Sequence, residues 1–312
     1  MSSSIVVAGV TSLYMAMPVM DFPLPYVREQ FPEWMRAEVS GAACHIASTL
    51  HSLGDEARLC TLVGQDPAGE AIGTALRARG LWGPGVVTAP RSSLGVVLVA
   101  PDGQCSGHPY VAAVNALEYP TEMFRRLARG ADLAVLTNTS FVRPLLGSAR
   151  EEGVPIAVDV HLITDVDDAY NRPWLEVADI IFCSHERLPC SPKQWVAQIF
   201  RRYPGCTVAA VGLGERGCVM GLPDGALVEV SAVAPRGVVS TAGAGDALFA
   251  SFLHSWLATR NPVSALQDAV LHAGWKIGST FPSAASLTAT EVARLRKSHS
   301  VVTLLNRWDT GT

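Results

Sequence analysis

The decisive stretch is Ser240-Thr241-Ala242-Gly243-Ala244-Gly245-Asp246-Ala247-Leu248-Phe249, where a run of small residues gives way to an apolar helix continuing through Phe252-Leu253. A helix N-terminus offers unpaired N–H groups and the positive end of the helix dipole, and both favour anions. Gly243 and Gly245 put no side chain in the way of a phosphate and let successive N–H groups converge on it. A carboxylate at such a turn is repelled by a bound phosphate, so its presence asks for a chemical reason. Asp246 reads as a base that takes the proton of an attacking hydroxyl. In phosphoryl transfer that positioning, together with stabilisation of the moving charge, is most of the catalysis. A capped helix start accounts for a bare Gly-x-Gly, but not for the whole ten-residue string.

Outward from this turn, short β-rich runs alternate with longer helical ones, the pattern of an α/β protein. Residues 5–8, 59–63, 133–136, 156–160, 180–182 and 208–211 read as strands, with helical spacing between them that suits a parallel sheet covered on both faces. Helices are expected over about 41–53 with Gly54 as stop, 68–79 closed by Gly80, 247–258, 262–278 and 289–298. Two segments break the rhythm. Residues 15–40 are rich in Pro and aromatics, with a helix expected at 26–35. Residues 94–100 alternate like a strand, turn at Pro101-Asp102-Gly103, and are followed by an extended piece at 108–113. Both read as additions to the α/β core, such as a small β-lid.

The 312 residues are 49% apolar and 17% charged, enough for a large core and against disorder. A net charge of −4 argues against a nucleic-acid partner and against attraction to an anionic membrane. The seven cysteines (44, 60, 105, 183, 190, 206, 218) are odd in number and form no Cys-x-x-Cys pair, which suits buried thiols in a cytoplasmic protein. Only Cys183, His185 and Cys190 lie close enough in sequence to suggest zinc, and they are too few. No apolar run approaches the ~18 residues of a membrane span.

At Thr241–Asp246 the sequence resembles the second signature of ribokinase-like (PfkB) kinases, D-T-x-G-A-G-D, with Ser240 in place of the leading Asp. Four further segments follow in that family's order. Ser40-Gly41-Ala42-Ala43-Cys44-His45-Ile46-Ala47 is similar to G-G-x-x-x-N-x-A, and Val63–Gly69 to V-G-x-D-x-x-G. Phe182-Cys183-Ser184-His185-Glu186 stands where the family has N-x-x-E, with Cys183 or Ser184 at the Asn depending on alignment, and Val211–Gly217 resembles T-x-G-x-x-G. The resemblance runs from about residue 5 to 286. It implies one three-layer α/β/α kinase domain over 1–312, a mostly parallel sheet, and a lid from about 13–40 and 92–115. It further implies ATP and Mg²⁺ as cofactors, with room for a monovalent cation, a sugar or nucleoside as acceptor, and a homodimer through the lid. Catalysis would fall to Asp246 and the anion hole at Gly243, Ala244 and Gly245. The nucleotide would meet Thr241, Gly212, Gly214, Gly217, Glu186, Ser184 and His272. Glu186 would order magnesium and water around the phosphates without a direct protein ligand to the metal.

The departures concentrate on the acceptor side. Where relatives carry a sugar-gripping Asp after the first strand, this chain has Tyr14; the signature Asn is His45, and a strand-end D-x-N becomes Asp159-Val160-His161. With Gly41, Ala42 and Asn138, these are the expected acceptor-binding residues. Imidazole and phenol both stack and hydrogen-bond, which suits a ring-bearing acceptor unlike plain ribose or fructose. The alternative is a regulatory protein that kept the fold, binds a sugar or nucleotide and does not turn over; an intact Asp246 between its glycines counts against it. A nicotinamide enzyme is excluded because residues 5–9 open no G-x-G-x-x-G turn.

Overall fold

Strand β1 (Ser4–Ala8) shows how the layers arise: Ile5 and Val7 face one way, Val6 and Ala8 the other, and all four are buried. A strand apolar on both faces must be covered on both. The computed structural model describes residues 2–101, 105–279 and 286–308. After β1 come β2 (Ser12–Pro18), β3 (Arg36–Ser40), α1 (Ala42–Leu53), β4 (Glu56–Gly64), α2 (Pro67–Ala78) and β5 (Val86–Ala89). Next are β6 (Ser93–Val99), β7 (Cys105–Tyr110), α3 (Ala112–Asn115), α4 (Thr121–Ala128), β8 (Leu133–Leu136), α5 (Leu145–Glu151) and β9 (Ile156–Asp159). The chain continues through α6 (Arg172–Val177), β10 (Ile180–Ser184), α7 (Pro192–Arg202), β11 (Val208–Gly212), β12 (Cys218–Gly221) and β13 (Ala226–Val230). It closes with α8 (Ala244–Thr259), α9 (Pro262–Lys276), α10 (Ala289–Ser298) and β14 (Thr303–Arg307).

The main sheet has the order β14-β13-β12-β11-β10-β9-β8-β1-β4-β5. Its seven strands from β11 to β5 are parallel, and β12, β13 and β14 extend it antiparallel. Ile5 and Val7 join a core with Ile46 and Leu50 of α1, Phe249 and Phe252 of α8, and Leu266 of α9. Val6 and Ala8 join the opposite core with Phe124, Phe141, Trp174 and Trp195. A smaller sheet, β3-β2-β6-β7, is the lid; β2 and β6 pair in parallel, flanked by antiparallel β3 and β7.

The expected strands and helices are present with ends shifted by a few residues. The helix expected at 26–35 is absent. That segment is irregular and carries Tyr26 and Phe31 about nine-tenths exposed. Pro25 and Pro32 remove amide donors, and no packed apolar face compensates. Of the turn expected at Pro101-Asp102-Gly103, Asp102 and Gly103 lie outside the described residues. The antiparallel extension and the four-residue β5 were not anticipated.

Asp66 explains why the V-G-x-D-x-x-G segment is written as it is. Its carboxylate caps α2 by accepting from Gly69 N–H at 2.8 Å, and also accepts from the N–H (2.8 Å) and hydroxyl (2.7 Å) of Ser92. Burial works against the charge, but these hydrogen bonds outweigh it and hold the carboxyl below its usual range. One side chain thus ties a helix start to the chain entering β6. Asp66→Ala is expected to lower stability by about 1–2 kcal/mol, measured by urea unfolding near neutral pH.

Candidate active site

Functional groups collect where the parallel strands end, as in other open α/β sheets. Asp159 ends β9 and His161 follows it, Ser184 ends β10 and Glu186 follows it, and Gly212 ends β11 and opens the turn to Gly217. These loops are stitched together: Ser184 N–H donates to His161 O at 2.6 Å, and His185 Nδ1 lies 3.0 Å from Gly212 O. His161 holds a positive φ of 55°, rare outside glycine, with its N–H on Asp159 Oδ1 at 2.8 Å. Glu186 is exposed at the rim and Ser184 caps its N–H.

Helix α8 delivers the Gly243–Asp246 turn. It is buried along most of its length because the sheet, α1 and α9 all pack on it, so its first turn cannot drift. Gly243 is the N-cap in the left-handed region, φ 68°, where glycine adds no steric cost. Ala244 N–H closes back on Thr241 O at 3.2 Å. Of the residues expected to form the anion hole, Ala244 therefore spends its N–H inside the turn. No backbone acceptor among the described residues takes the N–H groups of Gly245 and Asp246, and the space above Gly245 is open. Ser240, in place of the family's Asp, puts its hydroxyl 3.4 Å from Ala242 N–H.

Asp246 is part-buried, and its Oδ1 is closed from solvent with no hydrogen-bond partner. Burial pushes its pKa up to about 6, with Asp159 adding to the rise while His161 and Lys276 oppose it. A base poised there is well matched to work near neutral pH. The Asp159 carboxylate, 3.8 Å from His161 Nδ1, in turn holds the His161 pKa above its ordinary value, and Asp246 adds to it.

The lid reaches this group. Tyr14 of β2 lies over Gly95 of β6, where any Cβ would fall 2.2–2.5 Å from the phenol ring. Burial and the Asp246 charge both raise the Tyr14 pKa, which places the ring within the carboxylate's field. Below it, Gly41 is the N-cap of α1, and the neighbouring Ala42 opens that helix. His45 is buried, 2.8 Å from Ser40 Oγ, and burial lowers its pKa to about 3, so it is neutral.

The structure thus gathers Tyr14, His45, Asp159, His161 and the Gly243–Asp246 turn. Asn138 stands beside them with its amide donating to Val160 O (3.2 Å) and Asn171 Oδ1 (2.9 Å), so its donors serve the loops. His272 is fully enclosed, its Nε2 accepting from Leu287 N–H at 3.0 Å. It braces the chain leading into α10 and offers no exposed edge. Lys276, the last residue of α9, was not singled out from the sequence; it is buried against Gly243. Among the described residues no group of three or more His, Cys, Asp and Glu is placed to hold a metal, and no helix is long and apolar enough to cross a membrane.

Residues 32–289 match the pfkB family of carbohydrate kinases. The chain belongs to that family. It is a phosphotransferase of ribokinase-like fold. The kinase is 28% identical over 268 residues to an ATP-dependent ribose-1-phosphate kinase of Halopiger xanaduensis, covering 81% of this chain and 86% of that one. It superimposes on Arabidopsis thaliana ribokinase complexed with ribose and ATP at a TM-score of 0.80 (20% identity, 95% and 99% coverage). The nucleoside kinase of Burkholderia thailandensis in complex with inosine gives 0.77 (20% identity, 94% and 98% coverage).

The raised Asp246 pKa has a thermodynamic signature. Between the ordinary carboxyl range and about 6 the folded state binds more protons than the unfolded one, so stability falls as pH rises through that window. Asp246→Asn cannot ionise and escapes this cost. The variant is expected to be more stable than the parent by about 1–3 kcal/mol at pH 7–8 and nearly equal to it at about pH 3.5, by thermal melting across pH.

Proposed function

We propose that the kinase transfers the γ-phosphoryl group of ATP to a primary hydroxyl of a sugar or nucleoside, with Asp246 as general base. The observation that carries this reading is the partnerless, buried Oδ1 of Asp246 beside two unspent N–H groups. A buried acceptor without a donor costs stability, and the hydroxyl of an acceptor would satisfy it. The N–H groups of Gly245 and Asp246 would receive the charge of the moving phosphoryl group. Thr241 and the Gly212, Gly214 and Gly217 turn border the nucleotide side. Mg²⁺ would arrive on the phosphates and neutralise their charge, and exposed Glu186 at the rim suits contact through water.

Tyr14 above and His45 and His161 at the sides suit a ring, so the acceptor class is a pentose or a nucleoside. A phosphorylated pentose belongs in the trial set because of the Halopiger xanaduensis relative. The lid exposes Met15, Leu94, Val96 and Tyr110, an apolar face that a second copy of the chain would cover. A binding protein without turnover is the competing reading, and it has no use for a costly unpartnered carboxylate.

ADP release from Mg-ATP across sugars, sugar phosphates, nucleosides and sugar acids tests the proposal. Asp246→Asn should keep ATP binding and lower kcat by a factor on the order of 10²–10⁴. Equal turnover in the variant removes Asp246 from the mechanism; silence from the parent across the panel, with ATP bound, favours the binding protein.

A further inference from the structure

Lys276 is only 1% exposed, a rare state for a lysine. It ends α9, where a helix C-terminus favours a cation. Its stem packs against the anion-hole turn: a Cβ placed on Gly243 would come 3.3 Å from Lys276 Cε and 3.6 Å from the His45 ring. The turn and the end of α9 are tied together as well, since the N–H groups of Val239 and Ser240 both donate to Ile277 O, at 2.7 and 3.0 Å. A side chain carrying one fixed charge is therefore locked to the backbone that meets the phosphoryl group.

We propose that Lys276 is the built-in cation of the phosphoryl-transfer site, a positioning residue acting through the Gly243–Asp246 turn. Its ammonium supplies positive potential behind the Gly245 and Asp246 N–H groups and keeps the Asp246 carboxylate ionised. This deepens the kinase reading above and rests on it. In a water-poor site such a charge is worth far more than at the surface.

The charged neighbours are consistent with this role. Burial lowers the Lys276 pKa to about 8, and Asp246 of α8 draws it back up. Arg79, at the end of α2, pushes it down, while Cys44 of α1 and Glu38 of β3 raise it. His45 on α1 and His272 on α9 are both kept neutral, with Lys276 itself the second cause after burial. Around Asp246, the remaining partners are Asp159 and His161. Lys276 is therefore the charged member of an otherwise neutral trio with His45 and His272.

Lys276→Met and Lys276→Arg test this. With an active parent, Lys276→Met is expected to lower kcat on the order of 10²-fold with KM for ATP changed less than about threefold, and to move the acid limb of kcat to higher pH. Lys276→Arg should recover part of kcat and carry the basic limb, expected in the parent where Lys276 loses its proton at about 8, beyond the measured range. A Lys276→Met enzyme with unchanged kcat and acid limb overturns the proposal; if Met does not fold, an unmoved basic limb in Lys276→Arg does so.

A second measurement is independent of turnover. The gain of Asp246→Asn over its parent, which levels off above about pH 6 in the native background, should grow larger and level off at higher pH in the Lys276→Met background, followed by thermal melting. No shift there overturns the proposal. A shift in a protein that turns over no acceptor supports the Lys276–Asp246 coupling while the kinase reading itself fails.

Discussion

Everything in the site depends on how α8 is held. A helix apolar on nearly all sides is stable only when surrounded, and the sheet, α1 and α9 surround this one. Burial fixes the height and direction of its first turn against the strand ends. The hydrophobic energy of Phe249, Phe252 and Leu253 therefore maintains an arrangement that is locally unfavourable: a buried carboxylate oxygen without a donor beside amides that no backbone group among the described residues accepts. The unfavourable part is small enough for the surrounding core to carry, and it is the part that can do chemistry.

The electrostatics follow from that placement. Asp246 is raised by burial, while His161 and Lys276 limit the rise, which leaves its carboxyl at about 6. His45 loses its proton by burial, which leaves it as a hydrogen-bonding ring beside Ser40. Positive charge in the site is thus confined to a few places, and the position of each is set by packing.

Much of this was legible in the sequence. The Ser240–Phe249 string announces itself because small residues, an acid and an apolar helix rarely coincide, and the parallel strands were visible as apolar runs. The misread helix at 26–35 shows the limit of local propensity in a proline-rich segment that nothing packs against. Strands β12 and β13 were not anticipated, although Pro223-Asp224-Gly225 between them is a turn signal. Lys276 was missed because a lysine in a helix's last turn usually faces water. Its flanking Trp275 and Ile277 were the available hint, but its burial against Gly243 comes from the docking of α9 on α8. Likewise the spending of Ala244 N–H on Thr241 depends on a turn geometry that no residue type dictates.

The lid's central pairing joins β2 to β6, and Ser12 Oγ meets Ser93 Oγ at 2.7 Å across 81 residues of chain. A parallel pair of such separation carries a large loop-closure cost and forms after the local structure between its strands. Strand β3 is β2's neighbour in sequence, and the other edge of β2 has no partner until β6 has been made. Tyr14 has no Gly95 to lie on until then. The central pairing of the lid is therefore a late product of folding, completed only after the sheet beneath it has begun to form.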